Sequence, residues 1–138
     1  MNRKPSILAV FLILVLALLT GCGGGKKDYS DIIENPNISI PGYDSLDFKA
    51  GKKKQSVNFY NPEVNTCYFC ISLRLKQREE EILWTSEWIE PGEEIRDIQL
   101  SRELKSGEYP AILKYECFSL KDETPLNGSN VELALSVK

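Results

Sequence analysis

Cys67-Tyr68-Phe69-Cys70-Ile71-Ser72-Leu73-Arg74-Leu75-Lys76 decides the fold. Cys67, Phe69, Ile71, Leu73 and Leu75 fall on one side, and Tyr68, Cys70, Ser72, Arg74 and Lys76 on the other. Successive side chains of a strand leave opposite faces, so this period of two predicts a strand with one face in a core.

The same alternation recurs outward in both directions. Towards the N-terminus, Val57 and Phe59 alternate with Ser56, Asn58 and Tyr60, and Leu46 and Phe48 alternate with Asp47 and Lys49. Gly51 and the stretch Asn61-Pro62-Glu63-Val64-Asn65 supply turns. Towards the C-terminus, Lys76 to Glu81 reads as a solvated hairpin connection, and Ile82 to Ile89 as a strand with Trp84 and Trp88 on one face. Pro91-Gly92 makes a turn in which proline fixes φ and glycine accepts a positive φ. Ile95, Ile98 and Leu100 follow with a slip in spacing that predicts a bulge or bend. Tyr109, Ala111, Leu113, Tyr115 and Cys117 form the next run. A polar connection over 119–130 contains Pro125 and Asn127-Gly128, and Val131, Leu133, Leu135 and Val137 make the last strand. Seven short strands with turns between them predict an all-β antiparallel sandwich.

The arrangement resembles immunoglobulin-like and fibronectin III-like domains. Leu104-x-x-Gly107-x-Tyr109, just before the penultimate strand, looks like the tyrosine corner of such sandwiches, which implies a hydroxyl bonded to backbone a few residues upstream. The disulfide and tryptophan spacing of antibody domains is not matched. In a sandwich of this order the third and sixth strands are antiparallel neighbours. Cys67 and Cys117 then point to the same face, either as a disulfide pair or as two buried thiols, while Cys70 points away.

A separate signal stands at the N-terminus. Arg3 and Lys4 precede an apolar run from Ile7 to Leu19. At about 1.5 Å per residue it gives a helix of roughly 20 Å, short of a hydrocarbon core of about 30 Å. The run ends in Leu19-Thr20-Gly21-Cys22, which resembles the lipobox of bacterial lipoproteins. That resemblance implies cleavage before Cys22 and a diacylglyceryl group, with palmitate-type acyl chains, on its sulfur. Two acyl chains are what stable attachment requires. Gly23 stands where an Asp would mark inner-membrane retention in Gram-negative lipoproteins, which fits a Gram-positive source. Gly23-Gly24-Gly25 is costly to order and predicts a flexible tether. The expected organisation is a signal over 1–21, lipidated cysteine and tether over 22–40, and a β-sandwich over 41–138.

Much of the folded part is similar to a loose group of small Gram-positive surface lipoproteins, many without assigned function. The similarity runs through Pro41-Gly42-Tyr43, Asn61-Pro62 with Asn65, Cys67-Tyr68-Phe69, Ser86 with Pro91-Gly92, Leu104, Gly107 and Tyr109, and Leu126-Asn127-Gly128. It implies neither an activity nor a catalytic residue.

Composition narrows the function classes. The chain has no histidine, which removes the commonest general base and transition-metal ligand and with them histidine-based triads. Its net charge of −3 becomes −5 once Arg3 and Lys4 leave with the signal, and Lys52-Lys53-Lys54 after Gly51 reads as a solvated turn, so nucleic acid is not an expected partner. Cys67-Tyr68-Phe69-Cys70 has redox or zinc spacing but lies inside a strand, away from the helix start that stabilises a thiolate, and lacks partner ligands. Glu79-Glu80-Glu81, Glu93-Glu94 and Asp122-Glu123 sit in predicted turns as solvated charge. No metal, catalytic set or cofactor other than the lipid on Cys22 is expected.

The expected function is therefore a non-catalytic interaction module. It is held on the outer face of the cytoplasmic membrane and binds a protein, peptide or glycan, with Tyr60, Tyr68, Trp84 and Trp88 as candidate contact aromatics. The alternative is an accessory subunit of a transporter, conjugation or wall-synthesis complex.

Overall fold

A computed structural model describes residues 27–78 and 81–138. The signal, Leu19, Thr20, Gly21 and Cys22 lie outside the described residues, as do Glu79 and Glu80. Seven strands appear: β1 (Ser45–Phe48), β2 (Lys54–Tyr60), β3 (Cys67–Leu75), β4 (Ile82–Thr85), β5 (Glu94–Gln99), β6 (Gly107–Ser119) and β7 (Pro125–Val137). No α-helix occurs among the described residues, whose one helical turn is a 3-10 turn over Lys76–Arg78. The protein is all-β and sandwich-like, with β1-β7-β6-β3-β4 in one sheet and β2-β5 in the other.

The deciding stretch forms β3, which lies between β6 and the edge strand β4 of the larger sheet. Phe69, Ile71 and Leu73 are fully buried, and so are Ala111 and Leu113 on neighbouring β6 and Leu135 on β7. Phe59 and Ile98 close this core from the smaller sheet. Gln55, also on β2, is buried because its side-chain amide clamps the preceding turn: it accepts from Lys49 N and donates to Lys49 O and Lys52 O at 2.7–2.8 Å. Between Ser56 and Phe59 the β2–β5 register shifts. The slip expected between Ile95 and Ile98 is this bulge, in which the two strands share the irregularity.

Three features differ from the sequence reading. β1 pairs parallel to β7, Ser45 opposite Ala134 and Phe48 opposite Val137, so the larger sheet is mixed. The polar connection expected over 119–130 is mostly strand, because β6 and β7 extend into a long hairpin closed by a tight turn at 120–124. A Cβ on Gly128 would stand 2.2 Å from the Tyr115 carbonyl oxygen, so its lack of a side chain lets β7 approach β6 there. The strand expected over 82–89 stops at Thr85, and the chain rejoins β3 through a single bridge between Ile89 and Phe69.

The turns behave as the residue types require. Gly51 and Gly92 take φ of 70° and 85°. The Tyr109 hydroxyl donates to Lys105 O at 2.7 Å, which is the expected tyrosine corner.

The two ends of the sandwich carry different parts of the chain. Lys138 is bonded to Phe48 and Ala50 at one end. At the other end lie the turns 61–66 and 120–124 and the stretch 86–93. There residues 27–40 run without regular structure yet are fastened to the body. Asn35 N donates to Thr66 Oγ1, Ser119 Oγ donates to Glu34, and Ser39 and Asn65 bond reciprocally at 2.8 Å. Ile38 and Ile40 pack on the core. The described part of the expected tether is thus docked, because Ile38 and Ile40 have core surface to cover.

Candidate functional site

The outer face of the larger sheet follows from the alternation of β3. Tyr68, opposite Phe118 in the β3–β6 register, projects away from the core that holds Phe69 and Cys117. Such cross-strand pairs bring rings into contact. Trp88 lies across this pair: its ring is stacked on Phe118 at 4.6 Å with an interplanar angle of 11°, and it meets Tyr68 at 5.1 Å and 40°. It remains 42% exposed, so its outer face tops a three-ring platform.

The chain's entry into the fold braces this platform. Tyr29 stands edge-on to Tyr68 at 6.2 Å, and its hydroxyl donates to Glu90 at 3.3 Å. Lys27 Nζ bonds the same carboxylate at 2.8 Å, holding Glu90 below the usual carboxylate range. Partial burial raises the phenols of Tyr29 and Tyr68, so both stay neutral donors at ordinary pH. A shallow cleft beside the rings is lined by Tyr29, Tyr68, Glu90, Lys121 and Asp122. Apolar ring faces with hydroxyl and carboxylate edges can supply contact area and hydrogen bonds.

The backbone beneath the platform is positioned by two buried amides. Asn61 Nδ2 donates to Cys67 O at 2.8 Å and to Ile89 O at 2.9 Å, bridging β3 to the chain that carries Trp88. Asn65 Nδ2 donates to Asn61 Oδ1. Ser86 adds a further tie, since its Oγ accepts from Ile71 N and its own N donates to Ile71 O.

The four candidate aromatics separate. Tyr68 and Trp88 come together. Trp84 turns towards the core, its ring 5.6 Å from that of Phe59, so the two tryptophans do not share a face; the chain leaves β4 before Trp88 and breaks the alternation. Tyr60 stands on the smaller sheet at 37% exposure. Phe118 and Tyr29 were missed: Phe118 could have been found by counting the alternation of β6 one pair further, whereas no local pattern marks Tyr29.

The three cysteines in the described part carry free thiols. Cys67 lies opposite Ser119, and Cys117 opposite Phe69, so the two buried thiols are diagonal neighbours on the inner face. The Cys67 thiol beside it, together with burial, pushes Cys117 up. The same contact, with Cys117 as the hydrogen-bond partner, lowers Cys67, which is itself buried. Cys70 faces outward, its Sγ 3.5 Å from Ser86 O, and burial raises its thiol. Among the described residues no group of three or more acidic or cysteine side chains could hold a metal ion.

No protein-family model matches the sequence, and no curated protein or solved structure matches it.

Proposed function

We infer that this is a lipid-anchored, extracytoplasmic interaction module without catalytic activity, and that the Trp88 platform is its contact surface. The observation that carries the reading is the exposed indole, stacked on Phe118 and tilted against Tyr68. An isolated exposed tryptophan is ordinary, but three clustered rings on the outside of a sheet, braced by Lys27, Tyr29 and Glu90, form an ordered apolar surface. The anchor rests on the Leu19-Thr20-Gly21-Cys22 motif and the apolar run before it. The absence of histidine supports a binding role over a catalytic one.

The test compares the mature protein with Trp88→Ala on glycan arrays and against membrane and wall fractions. Binding that drops with the substitution, in protein whose mass carries the diacylglyceryl addition, supports the reading. Binding indifferent to Trp88 removes the platform from it.

A further inference from the structure

Five residues, Cys22 to Lys26, separate the proposed lipid from Lys27. Fully extended they reach about 18 Å. Lys27 is bonded to Glu90, and Tyr29 is packed on Tyr68, so the chain leaves the fold beside the aromatic platform. Lys138 is tied down at the opposite end. An anchor on Cys22 therefore keeps the platform end within a short reach of the bilayer and directs the other end outward.

The exposed apolar side chains follow the same polarity. Ile33 is 88% exposed on the docked segment, Val64 68% on the turn at 61–66, Trp88 42% and Leu126 39% at the start of β7. All four belong to the platform end, and Tyr60 adjoins it at the end of β2. Of the large hydrophobics that are exposed among the described residues, Ile82 alone belongs to the other end. Scattered exposed residues need no explanation, but their collection around the exit of a short tether does.

We propose that the platform end, with Val64, Trp88, Ile33 and Leu126 at its tip, rests in the interfacial layer of the bilayer to which the chain is anchored. This rests on the lipid-anchored reading and names the bilayer surface as what the platform meets. Trp and Tyr suit that layer because each joins an apolar ring to a polar edge. The tether raises the local concentration of the surface, so a small apolar tip suffices. Charge sets the kind of surface. Asp31, Glu63, Glu93, Asp122 and Glu123 are exposed at this end against Lys121 and Lys27, the latter already paired with Glu90, so uncharged or zwitterionic headgroups are accepted and anionic ones repelled.

The experiment uses the mature lipidated protein in phosphatidylcholine vesicles containing lipids with a nitroxide near the headgroup. The expected result is flotation with the vesicles and strong quenching of tryptophan emission. That quenching is lost in Trp88→Phe and reduced in Val64→Asp and Ile33→Asp. Phosphatidylglycerol vesicles at low salt should quench less, and high salt should restore the effect. Protein that does not float overturns the anchor and the apposition together. Protein that floats with Trp88 unquenched and open to aqueous iodide overturns the apposition alone. Quenching that persists unchanged in Val64→Asp and Ile33→Asp also overturns it, since the tip would then make no contact.

Discussion

Asn65 donates from Nδ2 to Oδ1 of Asn61 at 2.9 Å, and neither residue is more than 3% exposed. Asn61 then serves the carbonyls of Cys67 and Ile89, beside the bridge at which Phe69 and Ile89 exchange both backbone bonds. Replacing Asn61 by Ala removes three buried hydrogen bonds, two that it donates and the one that it accepts from Asn65, so Asn61→Ala should cost about 3 kcal/mol by denaturant unfolding. The exposed Asn58→Ala serves as the reference, with little change expected.

The two tyrosines of β6 should respond in opposite ways. Tyr109→Phe removes the bond to Lys105 O and is expected to cost about 1 kcal/mol. The buried Tyr115 hydroxyl makes no hydrogen bond of normal geometry; beside it is the hydroxyl of Tyr43, which donates to Asn58 O at 2.7 Å. Tyr115→Phe should therefore be neutral or stabilising, read as the shift in denaturation midpoint.

Alkaline pH provides a second reading of the same pair. Burial raises Tyr43 to about 12, and it raises Tyr115 too. The unfolded chain releases these protons from about pH 10, while the folded chain keeps them, so the unfolded state binds fewer protons and stability falls as pH rises. The slope is on the order of 1.4 kcal/mol per pH unit for each tyrosine over pH 10 to 12. Tyr115→Phe should flatten that decline, as measured by urea unfolding at successive pH values.

Gly128→Ala forces a methyl against the Tyr115 carbonyl oxygen, 2.2 Å from where its Cβ would lie. The β6–β7 hairpin has to open locally, and a loss of about 2 kcal/mol is expected from strain of this kind. Ser129→Ala, one residue along, gives the comparison in thermal unfolding.

Thiol counting tests the cysteines and the anchor in one measurement. Cys67 and Cys117 are offset diagonally, which places Cα atoms further apart than directly paired residues and disfavours a bond. Denatured, unreduced mature protein should therefore label at Cys67, Cys70 and Cys117, with Cys22 blocked as a thioether. One label beyond the anchor would show the bond, and a fourth would show Cys22 unmodified. In native protein the two buried thiols should stay unlabelled.

The central strands were legible because each has one buried face, and a period of two reports that directly. Cys67 to Leu75, with its buried odd-numbered positions, is the clearest case. The tyrosine corner was legible for a similar reason: its residues are local. What escaped depended on contacts far apart in sequence. Pro125 to Asn130 looks like a loop, since all of its side chains are exposed, yet it is strand because β6 offers it a ladder. The parallel partner of β1 carries no local mark. Of the platform, Tyr68 and Trp88 could be named from residue type alone, but their separation from Trp84 depended on the chain leaving β4 at Thr85. Tyr29 and Glu90 meet across 61 positions, beyond any local pattern.

The pairing of β1 with β7 has a mechanical consequence. The N-terminal side of β1 leads towards the entry end, and β7 runs on to Lys138 at the other. Tension between the two termini would act along both strands in opposite directions and stretch their rungs simultaneously, as in a lap joint, instead of peeling them one by one. A domain held at one terminus and tugged at the other would resist rupture through its briefest strand.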